Sequence, residues 1–166
     1  MSWPADFQKG TTRVSSGAEI AAHYRTNGPK HPLLILLHGY PQNRSMWQKF
    51  TLHLPLDWSL FIPDLPGYGE STKAVADTSR PFSKRLMGCD LLEAADQLSG
   101  AKDTPLIVVG HDRGARIAYR MALDHPTRVV GCAVLDIVPT VHVWHAMHGQ
   151  NDHFETHRTH HWVGAL

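Results

Sequence analysis

The chain has 166 residues, 42% of them hydrophobic and 19% charged, and a formal net charge of +1. That length supports one core burying roughly 70% of its extended surface, and not a second domain of comparable size. The near-neutral balance gives no electrostatic basis for nucleic acid or an anionic membrane as partner, and Met-Ser-Trp-Pro-Ala-Asp at the start has neither the basic nor the apolar segment of a secretory leader, so a cytoplasmic protein without a membrane span is expected.

In chain order, strands are predicted at Phe7–Val14 and Ile20–Tyr24, then at Leu33–His38, where the run Leu33-Leu-Ile-Leu-Leu37 reads as a strand buried on both faces. A helix is expected over Ser45–Leu54, a strand over Ser59–Pro63, and a polar connection over Lys73–Arg80. A helix over Phe82–Ser99, a strand over Leu106–Gly110, a helix over Arg113–Asp124 and a strand over Val129–Leu135 follow, with a further helix from Val141 onward. This alternation predicts an α/β fold, a mostly parallel sheet with helices on both faces. Cys89 and Cys132 fall in a predicted helix and a predicted buried strand, where single cysteines act as small apolar residues in a reducing compartment.

The run Pro105-Leu-Ile-Val-Val-Gly-His-Asp-Arg-Gly-Ala-Arg116 reads as a buried strand, a Gly-x-nucleophile-x-Gly turn and a helix start, with Asp112 at its tip. Gly110 and Gly114 supply the small residues that a strained, closely packed turn needs. A carboxylate attacking an acyl carbon gains little. Attack on a saturated carbon bearing a leaving group gives an ester that water can later cleave, so the expected electrophile is an alkyl halide or an epoxide. The helix N-terminus, with Arg113 and Arg116 nearby, keeps Asp112 ionised.

Arg113 and Arg116, three residues apart, can share the face that carries Asp112 and clamp a small carboxylate through their planar forks, although the same spacing suits a pair of surface arginines. Asp136 ends the following strand, where open α/β sheets place their chemistry, and a turn or cap role is the alternative. Seven of the thirteen histidines follow Thr140. His142, His145 and His148 would line one side of a helix, but no neighbouring cysteine or carboxylate completes a metal site, so neither metal nor cofactor is expected.

The segments His38-Gly-Tyr-Pro-Gln42, Asp64-Leu-Pro-Gly-Tyr-Gly-Glu-Ser71, Ser83-Lys-Arg-Leu-Met87, Gly110-His-Asp-Arg-Gly-Ala-Arg116, Ala122-Leu-Asp-His-Pro126 and Val134-Leu-Asp-Ile-Val-Pro-Thr140 resemble, in register, those of haloacetate dehalogenases of the α/β-hydrolase superfamily, including the fluoroacetate dehalogenases. The resemblance implies hydrolytic dehalogenation of a small 2-haloacid. Asp112 would be the nucleophile, Arg113 and Arg116 the carboxylate clamp, and Asp136 the acid that orients a catalytic histidine. The backbone amides of Tyr40 and Arg113 would form the oxyanion hole, His38 being structural. His161 and Trp162 would hold the departing halide, their spacing from Asp136 running about four residues longer than the family pattern implies. His157 fits that spacing without the tryptophan.

Residues 1–140 would then be the N-terminal part of the hydrolase core, truncated before its last strands, and 141–166 the start of an incomplete cap region. No residue here corresponds to the late histidine that activates water, so alkylation of Asp112 followed by arrest is expected. A sheet ending at its sixth strand would leave one edge open, inviting a homodimer. An epoxide hydrolase is the neighbouring alternative, but it would use two cap tyrosines and none occurs after Tyr119. A non-catalytic remnant that binds small carboxylates is the other.

Overall fold

The computed structural model describes residues 2–28, 30–74, 82–100 and 102–138. An antiparallel hairpin, β1 (Gln8–Arg13) and β2 (Glu19–Arg25), joins a parallel set formed by β3 (Leu33–Leu37), β4 (Leu60–Pro63), β5 (Leu106–His111) and β6 (Val129–Leu135). The six strands make one sheet in the order β1-β2-β4-β3-β5-β6, with β2 antiparallel to β4. This is the mostly parallel α/β sheet expected from the strand and helix alternation, in the form that the family resemblance implies.

β3 sits at the centre, which explains its unbroken apolar run. Leu33, Ile35 and Leu37 point to one face and join Phe61, Leu91 and Ile117, whereas Leu34 and Leu36 point to the other and meet Trp47, Leu60 and Ile62. Two helices, α2 (Lys84–Ser99) and α3 (Arg113–Asp124), cover the first face. The start of α2 is set by Ser83, whose hydroxyl accepts from the Leu86 amide at 3.2 Å, and its end by a left-handed turn at Gly100. Arg85 crosses to α3 and pairs with Asp124 at 3.1 Å.

Three expectations are corrected. The helix predicted over Ser45–Leu54 is a 3-10 turn at Arg44–Trp47 running into a single α-helical turn, α1 (Gln48–Thr51). There the Thr51 hydroxyl donates to the Gln48 carbonyl at 2.7 Å, and the amides of Leu52, His53 and Leu54 each bond three residues back. Pro55 then closes the segment. β6, predicted buried, is buried only at Val129, because it lies at the sheet edge with β5 as its one neighbour among the described residues. Cys132, on that strand, and Cys89, on the outer side of α2, are consequently exposed rather than core residues. The helix predicted from Val141, and the division of the chain at 140, lie outside the described residues. No helix among the described residues is long and apolar enough to cross a membrane.

Candidate active site

At the C-terminal end of β5 the backbone reverses through Asp112, which adopts φ 49° and ψ −114°, a conformation an L-residue reaches at a cost of roughly 1–3 kcal/mol. The reversal is over-determined by its bonds. The Asp112 amide donates to the Leu135 carbonyl at 3.0 Å, and the Asp112 carbonyl accepts from Ala115 and Arg116 at 3.1 and 3.3 Å. A Cβ at Gly114 would overlap the carbonyls of Leu37 and His38, and one at Gly110 would overlap the carbonyl of Gly114. The flanking glycines read from the sequence are therefore demanded by close approach of backbone to backbone.

The Asp112 carboxylate faces the loop after β3. The Tyr40 amide donates to Asp112 Oδ2 at 2.9 Å, so the donor expected for the oxyanion hole is aimed at the carboxylate on which an ester would form. Arg113 and Arg116 occupy the first turn of α3. Arg113 Nη1 donates to the Tyr68 hydroxyl at 2.6 Å, and its guanidinium carbon lies 4.8 Å from the centre of the Tyr40 ring. Arg116 is buried, which presses its pKa down, while Tyr119 and Asp112 act in the opposite sense.

Lys84, at the first turn of α2, adds a third cation that the sequence reading passed over. Burial, then the charges of Arg113 and Arg116, bring its pKa down to about 8, against the pull of Asp112. Tyr68 was also missed as an individual residue. The Gly-Tyr-Gly loop after β4 was legible, but nothing local said which way its ring would point.

Asp136 follows β6 with φ 52°, its side chain 87% exposed and its Oδ2 3.7 Å from His111 Nε2. It stands beside the elbow through the Asp112–Leu135 backbone bond, and its carboxylate is open to solvent. His38 is fully buried between two loops. Its Nδ1 lies 2.8 Å from the Gly39 carbonyl and so carries the proton, and its Nε2 accepts from the Leu65 amide at 2.9 Å. Burial holds its pKa below the usual value, and the neutral imidazole acts as a brace. His161, Trp162 and the alternative His157 lie outside the described residues, as does the His142, His145 and His148 trio. Among the described residues no three potential metal ligands come together.

The chain is 40% identical over 136 residues to a fluoroacetate dehalogenase from a Burkholderia species, covering 81% of this chain and 42% of that protein. It is 35% identical over 117 residues to a soluble epoxide hydrolase from Corynebacterium, covering 70% of this chain and 38% of the other. A solved structure from Pseudomonas aeruginosa, described as that of a candidate epoxide hydrolase, superimposes with a TM-score of 0.77 at 34% identity, covering 98% of this chain and 51% of that one. The chain thus spans roughly half or less of the length of the relatives it matches. The sequence profile of the alpha/beta hydrolase fold matches residues 32–162. With that match running over most of its length, the chain belongs to the α/β hydrolase fold family.

Proposed function

We propose that this chain carries the nucleophile and carboxylate-binding part of a dehalogenase acting on small 2-haloacids. The observation that carries the reading is the arrangement around Asp112: a carboxylate on a strained backbone turn under the Tyr40 amide, with Arg113 and Arg116 on the first turn of the helix it starts. A guanidinium pair there suits an anion whose reacting carbon neighbours its carboxylate. Similarity to a fluoroacetate dehalogenase supports this choice of substrate class.

In the first step an Asp112 oxygen attacks the halogen-bearing carbon. A C–O bond forms, the C–halogen bond breaks, and the halide leaves with its electron pair, giving, from a haloacetate, a carboxymethyl ester on Asp112. In the second step water attacks the ester carbonyl, the Tyr40 and Arg113 amides hold the oxyanion, and glycolate departs. That water needs a base with a free nitrogen or oxygen. His38 is unsuited, both of its ring nitrogens being engaged. Asp136 would orient such a base, and His161 with Trp162 would receive the halide.

The first step is tested by incubating the chain with chloroacetate and weighing the intact protein. One added carboxymethyl group, mapped to Asp112 and absent from Asp112→Asn, is the expected result. Mapping is needed because Cys89 and Cys132 are exposed and alkylate too. An adduct with a neutral terminal epoxide and none with chloroacetate would favour the epoxide hydrolase reading, which similarity to such enzymes supports. Carboxylate binding without an adduct would favour a non-catalytic binder. The proposed partners are thus a small haloacid and, along the edge of β6 that pairs with no strand but β5 among the described residues, a second copy of the chain. Val130, Val134 and Leu135 are exposed there, and sedimentation should show concentration-dependent pairing that Val134→Lys weakens.

A further inference from the structure

A free arginine side chain loses rotamer entropy when it is held in one direction, so a guanidinium that is to clamp a carboxylate gains affinity when another group already fixes it. In this fold Arg113 is fixed on two sides. The Tyr68 hydroxyl accepts from Nη1 at 2.6 Å, and the Tyr40 ring lies 4.8 Å from the guanidinium carbon.

Tyr68 is itself held by a loop with an unusual density of bonds. Asp64, at the base of that loop, is 1% exposed. Its carboxylate accepts from the amides of Arg44 and Glu70, each at 2.8 Å, and from the Arg44 guanidinium. The Ser71 hydroxyl donates to the Asp64 carbonyl at 2.9 Å and accepts from the Ala21 amide at 3.0 Å, tying the loop to β2. The Tyr68 amide donates to the Leu65 carbonyl and the Ser71 amide to the Tyr68 carbonyl, both at 2.9 Å. The His38 ring, locked in its neutral tautomer, meets the Tyr68 ring edge-on at 5.5 Å. A phenol so placed offers Arg113 a rigid acceptor.

We propose that Tyr68 is a positioning residue for substrate selectivity: by holding the Arg113 guanidinium beside the elbow, it makes the pocket prefer haloacids over neutral alkyl halides of the same size. This rests on the reading that Arg113 receives the substrate carboxylate. Removing the hydroxyl leaves the charge in place and frees its direction, so the loss falls on anionic substrates.

The test compares the full chain with its Tyr68→Phe variant, which keeps the ring and its contact with His38. Alkylation of Asp112 is followed across concentrations of chloroacetate and of chloroacetamide, its neutral isostere. The expected result is a fall of about tenfold in the chloroacetate-to-chloroacetamide rate ratio, the loss of one charge-assisted bond, carried mainly by a higher half-saturating chloroacetate concentration. A loosened fold would slow both reagents together and leave the ratio unchanged, and an unchanged ratio overturns the proposal. Absence of any chloroacetate adduct in the unsubstituted chain would instead sink the dehalogenation reading. The tyrosine is then judged by side-chain NMR of ¹⁵N-arginine protein. Resolved Arg113 Nη signals that average together in Tyr68→Phe support it, and identical spectra overturn it.

Discussion

A guanidinium and an ammonium carry the same charge, yet only the guanidinium offers two parallel N–H donors to a carboxylate while keeping a third direction for a neighbour. Arg113 uses one Nη on Tyr68, leaving the rest of its fork for a ligand. Arg113→Lys should therefore raise the half-saturating chloroacetate concentration tenfold or more, the equivalent of about 1.5–3 kcal/mol, although net charge is unchanged. Equal half-saturation in the two proteins would remove the clamp from the account. Asp112, Arg113 and Arg116 were legible in the sequence because a strand, a turn and a helix start lie consecutively along the chain. Tyr68 was not, because its partner is 45 residues away and the bond exists only once β4 and β5 flank β3 in the sheet.

The helices that frame the site are held at their ends as much as along their faces. Ser83 caps α2 through the Leu86 amide, one of the donors that the first helical turn leaves unpaired. Ser83→Ala should lower stability by about 1 kcal/mol in urea unfolding, and because Lys84 follows directly, it should loosen that ammonium near Arg113 and Arg116 as well. Stability equal to that of the parent chain would show that packing against α3 alone fixes the start of α2. Legibility differed by element here. Strand and helix positions over β1 to β6, α2 and α3 lie within a few residues of those expected, since buried strands and a capped amphipathic helix leave strong periodic signals. The segment after Asn43 carries a helical pattern too, but Thr51 bonding back to Gln48 and the approaching Pro55 favour tighter turns, and the pattern alone did not weigh those local competitors.

Across the whole molecule, one buried carboxylate outside the site ties stability to pH. Asp90 is 3% exposed, and its Oδ2 has no hydrogen-bond partner among the described residues. Burial raises its pKa above the ordinary 3.8, with Ser16 opposing and Glu93 adding to the rise. The folded chain therefore holds this proton more tightly than the unfolded one. The stability it contributes is complete below 3.8 and is lost as pH rises through the folded pKa. Asp90→Asn, which mimics the neutral form, should unfold at higher urea than the parent in neutral buffer, and the difference should shrink in acid. A difference that persists unchanged in acid would place the effect in packing rather than titration.

The sequence by itself determined the turn that carries Asp112, the cations next to it and the fold class, because each is written in contiguous residues or in a period of two or about 3.6. Tertiary structure alone decided what those groups touch. It brought the Tyr40 amide, which the family resemblance had already implied, to 2.9 Å from Asp112 Oδ2, turned Tyr68 to Arg113, fixed the neutral tautomer of the structural His38, and left Cys132 exposed. Such contacts join segments 27 to 72 residues apart, and their partners are chosen by strand order and loop closure, which no local pattern encodes.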